Sequence, residues 1–146
     1  MTESKLNPIT CANAGDAREW AVCADNGAER SKHDAVAYDK GSDVEAGDRH
    51  ISVKSSGATL MSGSLCEGET TFDGIWNVYS RNTASNLWAY VTKDFTAYYM
   101  DKTEFEAFLR KFGRVERDSE KNGGNMKIRL RKESNKMLAY LAGCVA

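Results

Sequence analysis

The pattern of hydrophobic and polar positions divides the chain into helical and extended segments. Apolar residues recur three or four positions apart in four stretches, which predicts amphipathic helices. Shorter stretches with a period of two, or with many aromatic and β-branched residues, predict strands. The predicted helices cover 15–24, 72–83, 101–112 and 133–141, and the predicted strands cover 35–38, 42–45, 50–55, 87–92, 95–100, 114–118 and 125–132.

Signals for helix ends support several of these boundaries. Asn26-Gly27 follows the first predicted helix and Gly113 follows the third, and both are residues that commonly end helices. Asp101, with Glu104 three positions later, forms an N-terminal capping pattern. The helix residues predicted to be buried are Trp20, Cys23, Ala24, Ile75, Trp76, Tyr79, Phe105, Phe108, Leu109, Phe112, Met137, Leu138 and Leu141.

The length and composition fit one domain with a hydrophobic core. The chain has 146 residues, a 41% hydrophobic share and a single proline. We therefore expect one α/β domain over residues 1–146, with a central mixed β-sheet flanked by helices and with residues 1–10 frayed. The sequence has neither an apolar run of the ~18 residues of a membrane helix nor the apolar segment of a signal peptide, which predicts a cytoplasmic protein.

The four cysteines do not have the spacing of a zinc site. Cys11, Cys23, Cys66 and Cys144 are scattered along the chain, and none belongs to a C-x-x-C pair. Their spacing predicts reduced, mostly buried thiols.

Charge is divided unevenly between the two halves of the chain. Residues 1–74 hold 7 Lys and Arg against 13 Asp and Glu, whereas residues 75–146 hold 13 against 8. An acidic half that could bind a metal ion, beside a basic half, is an arrangement that a nucleic-acid enzyme needs. Solvated surface charges can give the same imbalance, so the charge pattern permits this function without specifying it.

One predicted hairpin concentrates the candidate chemistry. Its second arm, 50–55, alternates polar and apolar residues, so Ile51 and Val53 should face a core while Ser52 and Lys54 point to the opposite face. Asp43 lies on the neighbouring arm, close enough to meet Lys54. A carboxylate beside a lysine at a sheet edge can hold a metal ion against a phosphate.

Two other stretches carry groups suited to phosphate contact. Lys127, Arg129 and Arg131 alternate along the last predicted strand and should share one face. The small residues from Ser55 and Ser56 onward form a loop whose hydroxyls and amides suit phosphates, and Lys32 lies in another polar loop. A solvated strand face and a plain flexible connection are the alternative interpretations.

The order of these elements resembles the PD-(D/E)xK nuclease superfamily, which includes many restriction endonucleases. The resemblance rests on a helix with Glu19, then Asp43 on a strand, then Ser52-Val53-Lys54, and it covers roughly residues 15–100. It implies a restriction-endonuclease-like fold, in which acids bind Mg²⁺ and Lys54 positions or activates the attacking water. The sequence departs from the family pattern in two places: no Pro precedes Asp43, and Ser52 stands in place of the acid.

The serine at position 52 requires a second acid from elsewhere, since a hydroxyl binds Mg²⁺ much less well than a carboxylate does. Some restriction endonucleases with Ser-x-Lys recruit a Glu about a dozen residues later. Glu67, at 13 residues past Lys54, is the preferred candidate here. Glu69, Glu19 and Asp34 are the alternatives.

The resemblance therefore predicts an endonuclease that hydrolyses DNA phosphodiester bonds with Mg²⁺, or with Mn²⁺ in its place, in phage biology or host defence. Two other classes remain open. A catalytically inactive nuclease-like domain would serve as a DNA-binding or regulatory module. A small-molecule enzyme has less support, because the sequence has no Gly-rich phosphate loop, nucleophile elbow or Cys/His pair. The oligomeric state is also open, a homodimer included.

Overall fold

The computed structural model describes residues 1–28, 42–60, 68–120 and 124–146. Within these ranges the chain forms seven strands and four helices, which confirms the α/β class. The strands are β1 (Thr2–Lys5), β2 (Val44–Ala46), β3 (Arg49–Lys54), β4 (Leu87–Val91), β5 (Thr96–Met100), β6 (Gly113–Arg117) and β7 (Met126–Leu130). The helices are α1 (Ala14–Asp25), α2 (Phe72–Asn82), α3 (Lys102–Phe112) and α4 (Asn135–Gly143).

Five strands form a mixed sheet in the order β1-β5-β4-β3-β2. Strands β3 and β4 are parallel and are connected through α2, whereas the other three pairs are antiparallel. Strand β3 therefore lies inside the sheet, and the short β2 forms the edge next to it. The prediction of a central mixed sheet flanked by helices is confirmed, but the expected position of Lys54 on an edge strand was wrong.

The sheet separates two hydrophobic clusters. One cluster joins α2, α3 and α4 to the face that carries Trp88 and Tyr90. The other joins α1 to the opposite face, which carries Ile51 and Ala89. Both faces of β3 and β4 are thus covered, as is usual for parallel strands in α/β proteins.

Strands β6 and β7 form a separate two-stranded antiparallel sheet. Residues 58–60 add to its β7 side, since Leu60 N donates to Ile128 O at 2.8 Å and Leu130 N donates to Ala58 O at 2.8 Å. The segment that follows β3 is therefore attached to β7. This attachment holds the small sheet to the C-terminal end of β3.

Helix α3 begins as its sequence predicts. The Asp101 carboxylate accepts from Glu104 N at 2.8 Å, and the Glu104 carboxylate accepts from Asp101 N at 3.0 Å, which completes the capping box. The four apolar residues predicted on this helix are all buried: Phe105, Phe108, Leu109 and Phe112.

We expect Asp101→Ala to lower the free energy of unfolding by roughly 0.5–2 kcal/mol, since the cap satisfies a backbone N–H at the start of α3. Thr103→Ala, at an exposed position of the same helical turn, is the matched control. Chemical denaturation of both variants measures the difference. Equal stability of the two variants would show that the capping box contributes nothing.

The first residues of the chain differ from the expectation that 1–10 are frayed. Thr2–Lys5 pairs with β5 as an edge strand, and the amino group of Met1 forms an ion pair with Glu104. The side chains of this strand are mostly exposed, so its order comes from backbone pairing with a distant strand. The prediction of a frayed N-terminus was wrong for this segment.

The buried face of helix α1 matches the predicted one only at Cys23. The expected apolar stripe was Trp20, Cys23 and Ala24, but Trp20 is 43% exposed and Ala24 is also exposed. The buried residues of the helix are Ala17, Ala21, Val22 and Cys23. The residues of α1 that pack against the sheet are mostly small, and the large Trp20 is exposed.

Smaller differences concern the C-terminal helix and the cysteines. Met137 and Leu141 are buried as predicted, whereas Leu138 is only half-buried. Among the described cysteines, Cys23 is buried as predicted, but Cys11 and Cys144 are exposed, so the prediction of buried thiols was wrong for those two. Cys66 and the predicted strand 35–38 lie outside the described residues. No helix within residues 1–28, 42–60, 68–120 and 124–146 is long and apolar enough to cross a membrane.

Candidate active site at the end of strand β3

Asp43 continues the pairing of β3 where β2 is too short to do so. Asp43 N donates to Ile51 O at 2.9 Å, and Val53 N donates to the Asp43 carboxylate at 2.8 Å. Val53 is the middle residue of Ser52-Val53-Lys54. A backbone hydrogen bond therefore fixes the Asp43 carboxylate beside this tripeptide, as the hairpin predicts.

Lys54 is the last residue of β3, and two acids lie near its ammonium group. Burial lowers the pKa of Lys54, while the carboxylates of Asp43 and Glu19 each raise it, and the pKa remains below its ordinary value. By its accessible surface the residue as a whole is half-buried. The structure thus brings together three predicted site residues from α1, the segment before β2, and β3.

Glu19 reaches this cluster from α1. The helix is capped by Asn13, whose side chain accepts from Gly15 N at 2.8 Å and Asp16 N at 3.3 Å. Its buried face packs against the sheet on the side of Ile51. Glu19 is half-buried in the middle of the helix, and its carboxylate acts on Lys54.

Ser52 does not lie on an exposed face as the alternation of β3 predicts. It is fully buried, next to Trp88 in the parallel register between β3 and β4. The α2 residue Tyr79 covers it, and Trp88 Nε1 donates to Tyr79 Oη at 2.9 Å. Ser52 Oγ has no hydrogen-bond partner of ordinary geometry in the described part of the chain.

The Tyr79 hydroxyl is a site group that the sequence did not reveal. Burial raises its pKa, the hydrogen bond from Trp88 and the nearby Thr83 and Ser52 hydroxyls lower it, and the Asp43 charge raises it. The sequence predicts Tyr79 as a core residue, which its burial confirms. A tyrosine on a buried helix face needs a partner for its hydroxyl, and this requirement is the only signal in the sequence.

The candidates for the displaced acid fall in different places. Glu67 and Asp34 lie outside the described residues. Glu69 is half-buried, and its carboxylate lies against Gly74 in the first turn of α2, where an acid favours the helix N-terminus. Among the described ranges, no three His, Cys, Asp or Glu side chains gather as a metal site.

The predicted phosphate-contacting residues occupy the small sheet and the adjoining segment. Lys127 pairs with Asp118 at 3.0 Å, and Arg129 Nη1 lies 3.3 Å from Glu116 Oε1, so Glu116 of β6 and Asp118, the residue after β6, place acids beside these two cations. Arg131 is exposed. These contacts neutralise part of the predicted basic strand.

The serines after Lys54 lie between the two sheets. Ser56 Oγ accepts from Glu133 N at 2.8 Å, which ties this hydroxyl to the segment before α4. Ser55 is half-buried, and Lys32 lies outside the described residues.

Comparisons with family models, with curated proteins and with solved structures gave no significant match.

Proposed function

We propose that the protein is a metal-dependent nuclease of the PD-(D/E)xK type, with a restriction-endonuclease-like fold. The observation that carries the proposal is the position of Asp43, whose carboxylate is hydrogen-bonded to Val53 N beside Lys54. Glu19 and Asp43 both act on the Lys54 ammonium, so the three residues that the resemblance assigns to catalysis form one cluster. The substrate would be DNA phosphodiester bonds.

The donor set suits Mg²⁺. Carboxylate oxygens are the ligands that Mg²⁺ prefers, and it is usually bound through one or two carboxylates together with substrate phosphate and water. Asp43 and Glu19 would hold the ion, with Glu67 as a further acid, and Mn²⁺ could replace Mg²⁺. When bound, the ion would polarise the phosphate and lower the pKa of the attacking water.

Asp43, Lys54 and Tyr79 would each have a separate role at the site. The Asp43 carboxylate keeps its place because Val53 N holds one of its oxygens. Lys54 would donate to the charged phosphate oxygens or orient the attacking water, and the partial loss of solvent around its ammonium strengthens that interaction. The fully buried Trp88 donates a hydrogen bond to the hydroxyl of Tyr79. Tyr79 thereby covers the cluster on the side of the hydrophobic core.

A second candidate is a catalytically inactive nuclease-like module that binds DNA or regulates another protein. It is favoured by Ser52, which is buried under Tyr79 in the place of the family's acid, and by the absence of a three-acid metal site from the described residues. Such a module would use the basic residues near β7 to contact DNA. Metal binding separates the two candidates, since the inactive module has no need of it.

A plasmid-nicking assay tests the proposal directly. We expect supercoiled plasmid to be converted to open-circular or linear DNA with Mg²⁺ or Mn²⁺, and to remain intact with EDTA. Asp43→Asn protein, purified in the same way, controls for a contaminating nuclease. Cleavage that persists in that variant, or no cleavage with either metal, would rule the nuclease assignment out.

A further inference from the structure

A cavity of about 390 Å³ lies beside the small sheet, outside the Lys54 cluster. It is lined by Gly57, Arg114, Arg129, Leu130, Arg131 and Lys132. Four of these six residues are cations, and no acid is among the described residues that line it. The volume lies at the small end of the range for ligand pockets, which is roughly 300–1,000 Å³.

The register of the small sheet forces two of these cations together. Arg114 and Arg129 are directly opposite on β6 and β7, and like charges in such a pair are destabilising. The Glu116 carboxylate bridges the two arginines, since it accepts from Arg114 Nε at 3.0 Å and from Arg129 Nη1 at 3.3 Å. One negative charge for two arginines leaves positive charge in excess.

The other two cations increase this excess. Arg131 and Lys132 are exposed, and neither side chain has a hydrogen-bond or ion-pair partner among the residues that the structure describes. Arg129 is held in place, since its Nε donates to Gly57 O at 3.2 Å. The pocket therefore combines oriented guanidinium groups with two cations that can turn toward a ligand.

We propose that this pocket binds a phosphate group, through Arg114, Arg129, Arg131 and Lys132. Arginine matches phosphate oxygens with its planar fork of N–H donors, and a dianion would offset the repulsion between the facing arginines. Gly57 is three residues past Lys54, so their Cα atoms are at most about 11 Å apart. The phosphate could belong to a nucleic-acid strand that passes the Lys54 site or to a free nucleotide.

Isothermal titration calorimetry in EDTA at low salt tests the pocket, with three probes: pyrophosphate, thymidine 5′-monophosphate and a ten-residue oligothymidylate without terminal phosphates. We expect Arg131→Gln/Lys132→Gln to weaken binding at least about tenfold, because two charged contacts are lost. The control is Arg81→Gln/Lys102→Gln, which removes equal charge from exposed positions of α2 and α3. Tighter binding of the oligothymidylate points to a strand, and tighter binding of the monophosphate points to a nucleotide.

For the oligothymidylate, the slope of log K against log salt should become shallower by up to about 1.4 in the pocket variant, at ~0.7 per contact for a single strand. No binding of any probe, or equal weakening in the control, would overturn the proposal. The phosphate pocket depends on the proposed nuclease function only if the phosphate belongs to a nucleic-acid strand. The Lys54→Ala variant distinguishes the pocket from the nuclease site, because it should lose cleavage and keep the calorimetric binding. If the wild-type protein cleaves DNA and the Arg131→Gln/Lys132→Gln variant binds the probes as tightly as wild type, the phosphate pocket is refuted and the proposed nuclease function is not.

Discussion

We expect Lys54→Ala to slow plasmid cleavage by about 100- to 1,000-fold, the usual cost of removing one group that stabilises charge in the transition state. Asp43 and Glu19 both act on the Lys54 ammonium, and burial has already removed part of its hydration. Single-turnover cleavage at saturating Mg²⁺ measures the effect. Lys102→Ala is the matched control, since that lysine is exposed and its ammonium donates to Ser80 O at 3.0 Å, away from the Lys54 cluster.

The folded state should survive the loss of Lys54. Burial lowers the pKa of Lys54 in the folded protein below its ordinary value of 10.5. Between the folded pKa and pH 10.5, the folded protein therefore binds fewer protons than the unfolded protein. The stability contributed by this group is therefore fully present above pH 10.5 and is lost as the pH falls through the folded pKa. At neutral pH the buried charge carries a cost, and unfolding free energies of variant and wild type should agree within about 1 kcal/mol. A wild-type cleavage rate in the Lys54→Ala variant would refute the catalytic role of Lys54. An unfolded variant would refute the claim that the buried charge of Lys54 carries a cost at neutral pH.

Elements with local signals were predicted from the sequence with boundaries close to those observed. Helix α3 is the clearest case, since Asp101 and Glu104 cap it and its buried residues recur at helical spacing. Strand β1 carries no such signal. It consists of exposed polar residues, and it is ordered because it pairs with β5, about 95 residues away. Pairing between distant segments is a property of the fold, and the local pattern does not contain it.

The candidate site shows the same division. The hairpin and its neighbouring residues Asp43 and Lys54 were predicted because the turn between them is short. The parallel pairing of β3 with β4 was not predicted, and it is this pairing that buries Ser52 beneath α2. The family resemblance suggested the proximity of Glu19 to Lys54, whereas the apolar pattern of α1 was right for Cys23 but wrong for Trp20 and Ala24, which are exposed.

We expect Glu19→Gln to slow cleavage by about 100-fold or more and to raise the Mg²⁺ concentration for half-maximal rate. Among the acids considered for the second metal ligand, Glu19 is the one that the described structure brings to Lys54. A metal ion contributes several kcal/mol to catalysis, and each 1.36 kcal/mol changes the rate about tenfold. Glu69→Gln should be mild, because that carboxylate lies at the start of α2.

The Mg²⁺ dependence separates two roles for Glu19. Its carboxylate raises the pKa of Lys54, so a variant that lacks this charge should have a still lower Lys54 pKa. If Lys54 must be protonated, the alkaline limb of the pH–rate profile would then move to lower pH. A shift of that limb at unchanged Mg²⁺ dependence would make Glu19 a positioning residue. In that case Glu67→Gln, and not Glu19→Gln, should raise the Mg²⁺ concentration for half-maximal rate. This result would support Glu67 as the second metal ligand in place of the acid that is missing at position 52.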